Sequence, residues 1–599
     1  MHCWRRRSSA LSLYVAPLRN IIIRRWDTLR IEPKSSHCCC VATSTRLLAT
    51  QQRQQRRHLK RLAPKEINFN LVNLGKQKKW EDLLQVYQDE KTRFDYVNYS
   101  TLMSQLARIC HVDTKNATFL KLVGDLPQQM KRFKARDIGS TANALAKLTI
   151  PNQQRHLTLE FFAELDRVNQ RLFEERDCIS IALSAHASAK TNSPAPNLFR
   201  NLDHHADWFL LNGTSQNTAN SVWACATLGV KAPKLFHGLD QYSDKLLREG
   251  NSQDIANSVW ACATLGVKAP KLFHGLDQYS DKLLREGDPQ AIANSLWACA
   301  TLGVKAPKLF HGLDQYSDKL LLKGSSQDIA NSVWACARLG VKAPKLFHGL
   351  DQYSDKLLLE GSSQAIANSL WACATLGVNA PKLFHGVDQY SDKLLLKGNS
   401  QDIANSVWAC ATLGVKAPKL FHGLNKYSDK LLREGSSQAI ANAVWACATL
   451  GVKAPKLFHG LDQYSDKLLL EGNSQNIANS LWACAKLGVN APKLFLGVDQ
   501  YSDKLFLEGS SQDIANSVWA CATLGVKAPR LFEGLHRHSG RLVREGDSRA
   551  IRAVIWACKT LGVKVPELLE GLKSDDRKQI SQNSTSTSSS CARGGKPPR

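Results

Sequence analysis

The sequence contains no stretch approaching the roughly eighteen consecutive apolar residues of a membrane-spanning helix. It has no C-x-x-C pair, which argues against a structural zinc site. It also lacks a phosphate-cradling glycine loop, a nucleophile elbow and an acid with a fixed catalytic partner. Nothing here calls for a metal or a cofactor, and the chain is not expected to be an enzyme. Acids are scarce beside bases, with 52 Asp and Glu against 79 Lys and Arg and a net charge of +27. Nearly half of that excess lies in residues 1–65, outside the repeats described below.

What the chain has in abundance is itself. Trp223, Trp260, Trp297, Trp334, Trp371, Trp408, Trp445, Trp482, Trp519 and Trp556 each follow the last by 37 residues, within near-identical surroundings. A fixed period of this length marks stacked helical or strand units. In the copy from Ser252 to Asp288, Ile255, Ala256, Val259, Trp260, Cys262, Ala263 and Leu265 fall at helical spacing, predicting a first helix over Gln253 to Leu265. Gly266 ends it, and Pro270 suits the first turn of a second helix, where a missing N–H costs nothing. That second helix carries Leu272, Phe273, Leu276, Tyr279, Leu283 and Leu284 inward as far as Gly287, and Asp288 can cap the next unit. Trp260 reads as the centre of the core, with Ala261, Cys262 and Ala263 allowing close approach of neighbouring helices. Gly275, inside the second helix, points to a close helix crossing.

Because neither helix can bury its apolar stripe alone, the units must stack. The expected fold is therefore all-α: a right-handed α-solenoid of helix-turn-helix repeats with a 37-residue period. Of seventeen cysteines, ten are the single Cys of each first helix, such as Cys225 and Cys262, and read as small buried hydrophobes. The histidines at His237, His274, His311, His348, His385, His422 and His459 stand a whole repeat apart, too far to share a metal.

Outside the regular repeats, residues 1–65 hold fifteen Lys or Arg against Asp27 and Glu32. Arginines interleaved with Leu and Ile in a short apolar run broken by Pro17 read as an organelle transit segment, more mitochondrial than secretory; the alternative is a basic tail that binds nucleic acid. Residues 66–213 are irregularly helical, forming degenerate repeats and an N-terminal cap. There Ser193 to Asp203 matches the regular pattern and places His186 one period before Trp223, while Asp137 to Leu148 resembles another first helix. Stacking is expected to begin near residue 95. Ten regular repeats fill 214–573, and the Ser/Thr-rich tail 574–599 is too poor in apolar residues to fold.

Three repeated features could meet a ligand. The first is an asparagine on the first helix: Asn220, Asn257, Asn294, Asn331, Asn368, Asn405, Asn442, Asn479 and Asn516. A mediocre helix former kept in each copy implies a hydrogen-bonding role, either a ladder between neighbouring helices or a row of amides facing bases or phosphates. The second lies six residues before each Trp and varies: Asn217, Asp254, Ala291, Asp328, Ala365, Asp402, Ala439, Asn476, Asp513 and Ala550. Modular readers of nucleic acid vary a few side chains on a constant scaffold; alternatively, the position is an exposed helix start where Asp suits the dipole. Thr264 is likewise replaced by Arg338 and Lys486. The third is a ridge of turn lysines, Lys231, Lys234, Lys268, Lys271, Lys305, Lys308, Lys342, Lys345, Lys416, Lys419, Lys453 and Lys456, continued by Lys382, Lys493, Lys527 and Arg530. A continuous basic ridge suits a phosphate backbone, although the type repeat is itself nearly neutral and a solvated edge would look the same.

The stretch Ile255 to Gly266 (Ile-Ala-Asn-Ser-Val-Trp-Ala-Cys-Ala-Thr-Leu-Gly), followed by Pro270, resembles the octotricopeptide family and its 37-residue heptatricopeptide relatives, which are related to FAST-kinase-like proteins. The resemblance is strong over 214–573 and weaker over 95–213. It implies a monomeric organelle protein of the mitochondrial matrix, or alternatively the plastid stroma. Such a protein would bind single-stranded RNA selectively and support RNA processing, mRNA stability or translation, with other RNA-processing proteins as further partners. Two features depart from the family. The copies are nearly identical, which implies a low-complexity target or little discrimination, and the repeats are not followed by a RAP domain, which speaks against a nuclease role. The competing reading is a protein-interaction scaffold of the armadillo or HEAT kind with no RNA role.

Overall fold

The computed structural model describes residues 63–546, 548–564 and 568. The transit segment lies outside these residues except at its last positions, and the Ser/Thr-rich tail lies wholly outside them. All regular structure among the described residues is helical.

In the copy from Ser252, the first helix spans Ser252–Leu265. Its start is fixed by a reciprocal cap: Asn251 accepts from the Asp254 N–H at 2.9 Å, and the Asp254 carboxylate accepts from the Asn251 N–H at 3.2 Å. Its end is fixed by Gly266, which takes φ 68°, a left-handed turn that L side chains avoid. The Val267 N–H then closes onto the Cys262 carbonyl at 2.8 Å. Pro270 opens the second helix at its first turn, as expected.

The single long second helix expected from Pro270 to Gly287 is instead two, Pro270–Gln278 and Ser280–Glu286, so each repeat is a three-helix unit. The break is at Tyr279, whose φ of −93° and ψ of 14° depart from the helix. Its effect is to re-aim Leu284 so that its Cδ1 lies against Gly312 in the next repeat, where an added methyl would have no room. The same arrangement places Leu247 on Gly275, which confirms the close crossing anticipated for that glycine.

First helices of successive repeats pack side by side along their length. The seam is lined by small buried residues, Ala256, Ser258, Ala261 and Cys262. Ser258 satisfies its hydroxyl on the Asp254 carbonyl at 2.8 Å. A second apolar layer, Leu272, Phe273, Leu276, Leu283 and Leu284, closes beneath; each such side chain contributes about 1.5–3 kcal/mol on burial.

Trp260 is not the centre of this core. A seam tight enough for alanine leaves no room for an indole, so Trp260 lies half-buried at the outer edge of the first helix.

Polar bonds tie each repeat to the next. The Asp277 carboxylate accepts from the Leu309 N–H, one repeat on, at 3.0 Å. Lys319 donates its ammonium back to the Leu284 and Arg285 carbonyls, at 3.1 and 2.7 Å, where the preceding third helix leaves them unpaired.

The row continues toward the N-terminus. Tyr96–Leu106, Ala135–Lys147 and Cys178–Lys190 stack in order against Ser215–Leu228. His186 faces Trp223 with ring centroids 5.0 Å apart, so it does occupy the tryptophan's place one period earlier. Pro64–Lys76 already packs on Tyr96–Leu106, so stacking starts before residue 95. That earliest helix carries no Trp-Ala signature and buries Ile67 and Leu71 instead.

Candidate nucleic-acid interface

On the first helix of the type repeat, the incompletely buried residues include Gln253, Asn257, Trp260 and Thr264. At i, i+4, i+7 and i+11 they form one stripe. Because first helices align side by side, each repeat adds one such stripe beside the last.

The asparagines sit in the middle. Asn220, Asn257, Asn294, Asn331, Asn368, Asn405, Asn442, Asn479 and Asn516 are all half-buried. Among the described residues none bonds to a neighbouring helix, so the ladder between helices does not exist. Their only side-chain bonds are local: the Gln253 amide donates to Asn257 Oδ1, Gln327 to Asn331, Gln401 to Asn405 and Gln512 to Asn516, each at 2.8 Å. Among the described residues the Asn Nδ2 donors therefore have no protein acceptor.

The variable position six residues before each Trp is engaged by the helix start or the core. Ala291 is fully buried. Asp254, Asp328, Asp402 and Asp513 turn back to accept from the N–H of their own capping residues, Asn251, Ser325, Asn399 and Ser510, at 2.9–3.2 Å. Direct base contact from Asp254, Ala291, Asp328, Asp402 and Asp513 is thus corrected to a capping or core role: the third helical residue lies where the chain doubles back on the cap. Burial pushes the carboxyls of Asp254 and Asp402 up from their ordinary range, partly offset by the capping bond.

Near the turn, Thr227 and Thr523 bond to their own Trp223 and Trp519 carbonyls. The replacements Arg338 and Lys486 are exposed. Just beyond, Lys231, Lys268, Lys305, Lys342, Lys416 and Lys453 are exposed at the end of each first helix, and no ion pair holds them among the described residues. The companions Lys234, Lys271, Lys308, Lys345, Lys419 and Lys456 are exposed too. Of these, Lys271 and Lys308 donate to Gln241 and Gln278 of the preceding repeat, at 2.7 and 2.6 Å, leaving their charge uncompensated.

Reading along the first helix, the order is therefore amide, indole, hydroxyl or cation, then free lysines. Such a surface can stack bases on an aromatic, bond their edges and neutralise phosphate.

Two contributions escaped the sequence reading. The tryptophans that are only half-buried, such as Trp260, taken as core, supply the aromatic element, while Trp408, Trp445 and Trp482 are buried; the break between small seam residues and large Trp was the available signal. The third-helix lysine, counted only as charge, is structural, as are its equivalents Lys245, Lys356, Lys393, Lys430, Lys467 and Lys504. The repeat cysteines are buried as anticipated, and burial pushes the Cys262 thiol up to about 12. The repeat histidines are exposed on the second helix, and no group of His, Cys, Asp or Glu among the described residues could hold a metal ion.

Among solved structures, the chain is similar to the pentatricopeptide repeat protein PPR10 in complex with an 18-nt psaJ RNA element, at 12% identity and a TM-score of 0.27, covering 92% of this chain and 97% of that one. It is also similar to the pentatricopeptide repeat protein PPR10 from maize in a second structure, at 11% identity and a TM-score of 0.26, covering 91% and 97%. A circular tandem repeat protein with novel repeat topology matches at 11% identity and a TM-score of 0.15, covering 87% and 98%. No curated protein matches the chain in sequence. The family model described as RNA-editing substrate-binding complex 6 protein matches residues 131–377 and 397–585. With a match running across well over half of its length, the chain belongs to the RNA-editing substrate-binding complex 6 protein family.

Proposed function

We propose that this protein binds single-stranded RNA along the aligned faces of its first helices and holds it for post-transcriptional processing. The observation that carries this reading is the repeated stripe of Asn257, Trp260 and the free Lys268, with amide donors and ammonium groups that no protein group engages. Bases lie against the indole and amide, and phosphates against the turn lysines. Family membership supports RNA as the ligand, because the family is described by its part in an RNA-editing substrate-binding complex. It also favours a mitochondrial setting over a plastid one. The protein acts as a holder, leaving chemistry on the RNA to its associates.

The test is filter binding of the full chain to single-stranded RNA at two salt concentrations. Affinity is expected to fall by orders of magnitude with added salt. Changing Lys268, Lys305 and Lys342 together to Ala should weaken binding to all sequences and flatten the salt dependence. Salt-independent binding, or none, would leave the protein-scaffold reading in its place.

A further inference from the structure

The copies are not all alike, and their differences alternate. From residue 251 to 398, Asp254, Ala291, Asp328 and Ala365 follow one another at the third residue of the first helix. Val259, Leu296, Val333 and Leu370 change in step with them. This alternation reaches the outer stripe. In every copy with aspartate the neighbouring glutamine donates to the stripe asparagine, as Gln253 does to Asn257 and Gln327 to Asn331, both at 2.8 Å. In copies with alanine the bond is absent: Gln290 and Gln364 are exposed, and Asn294 and Asn368 make no side-chain bond to protein.

The consequence is a chemical difference at the same place on the surface. An asparagine whose Oδ1 already accepts from glutamine has one of its two acceptor positions taken and its carbonyl side covered, so it presents chiefly its Nδ2 donors, whereas one left alone offers a donor and a fully open acceptor side by side. A lone amide matches the adenine edge, which pairs an acceptor nitrogen with an amino donor. An amide that presents chiefly its donors matches a base that presents carbonyl oxygen, such as uracil.

Resting on the RNA reading above, we infer that the array reads RNA in steps of two repeats, with adenine at alanine-type repeats and a carbonyl-bearing base at aspartate-type repeats. The aspartate, buried at Asp254 and Asp402 and half-buried at Asp328 and Asp513, acts as a positioning residue, setting the state of the asparagine without touching the base. The preferred ligand class is alternating adenine-uracil RNA. Near-identical repeats then carry a real, two-letter preference.

Fluorescence anisotropy of the full chain with oligoadenylate, oligouridylate and an alternating adenine-uracil RNA of equal length tests this, with every uridine N3-methylated so that both carbonyl oxygens remain but the alternating strand cannot pair with itself. The alternating RNA should bind roughly tenfold more tightly than either homopolymer. Changing Asp254, Asp328, Asp402 and Asp513 together to Ala converts those repeats to the other kind. Alanine already stands there in folded repeats whose helices remain capped, as by Ser362 on the Ala365 N–H at 3.1 Å. That variant should move the preference to oligoadenylate while keeping the salt dependence. Equal affinity of the native chain for all three RNAs, or an unmoved preference in the variant, overturns the two-repeat reading but leaves RNA binding standing. Failure to bind any of them overturns the proposed function itself.

Discussion

The Asp277 carboxylate caps a helix that belongs to the following repeat, accepting from the Leu309 N–H at 3.0 Å. The helix it caps starts at Pro307 behind Ala306, neither of which can supply a side-chain oxygen. Equivalent bonds join Asp203 to Leu235, Asp240 to Leu272, Asp351 to Leu383 and Asp499 to Leu531. Asp277→Ala should therefore destabilise the array by about 1 kcal/mol, as loss of a cap does. Asp277→Asn should cost less, because Asn425 fills the same role by accepting from the Lys456 N–H at 3.0 Å. Urea unfolding of the two variants beside the native chain checks the order.

Gly275 faces Leu247 of the preceding repeat with no space for a methyl group. Gly275→Ala gains helix propensity but overpacks a buried seam, and the net loss should be about 1–3 kcal/mol. Leu247→Ala makes room on the other side. Combined, the two changes should cost less than their sum, and a double-mutant cycle measures the coupling.

Burial pushes the carboxyls of Asp254 and Asp402 above their ordinary range. A group raised in the folded state favours folding when protonated. Its contribution is present at pH values below the unfolded carboxylate range and is lost as pH rises through the raised folded value. Asp254→Asn and Asp402→Asn keep the capping oxygen, as Asn217 does for Thr214 at 3.1 Å. They should be as stable at neutral pH or gain up to about 1 kcal/mol. They should also lose part of the stability decline between acid and neutral pH, seen in melting temperatures measured across that window.

Trp260 and its half-buried equivalents lie on the proposed RNA face. RNA should quench their fluorescence and protect them from a soluble quencher, whereas Trp408, Trp445 and Trp482, buried in their repeats, should respond less. A set of Trp→Phe variants resolves the two groups. Equal responses would move the RNA off this face.

Much of the fold was legible because a 37-residue period with Gly266 and Pro270 at fixed places leaves few ways to fold. The break at Tyr279 was not, since Asp-Gln-Tyr-Ser-Asp holds no helix breaker and the bend serves packing on a neighbouring repeat. Trp260 was misplaced because its size suggests burial, while the spacing of alanine-lined helices decides otherwise. The amide row was legible as polar and recurrent, but its outward donors depend on bonds from Gln253 that periodicity does not show. At Asp254 a helix-start role and a reading role look alike in sequence; the cap geometry separates them.

The ammonium of Lys319 reaching back to Leu284 and Arg285 recurs as Lys393 reaching Leu358 and Leu359, 74 positions later, with the same partners in the same relation. These two joints, two repeats apart, are thus made from the same parts, whereas Lys356 and Lys430 between and after them reach the Gly324 and Gly398 carbonyls instead. Lengthening or shortening the gene there by 74-residue blocks would create no unfamiliar junction, so the length of the array is free to change in evolution by pairs of repeats while the way the pieces fasten stays constant.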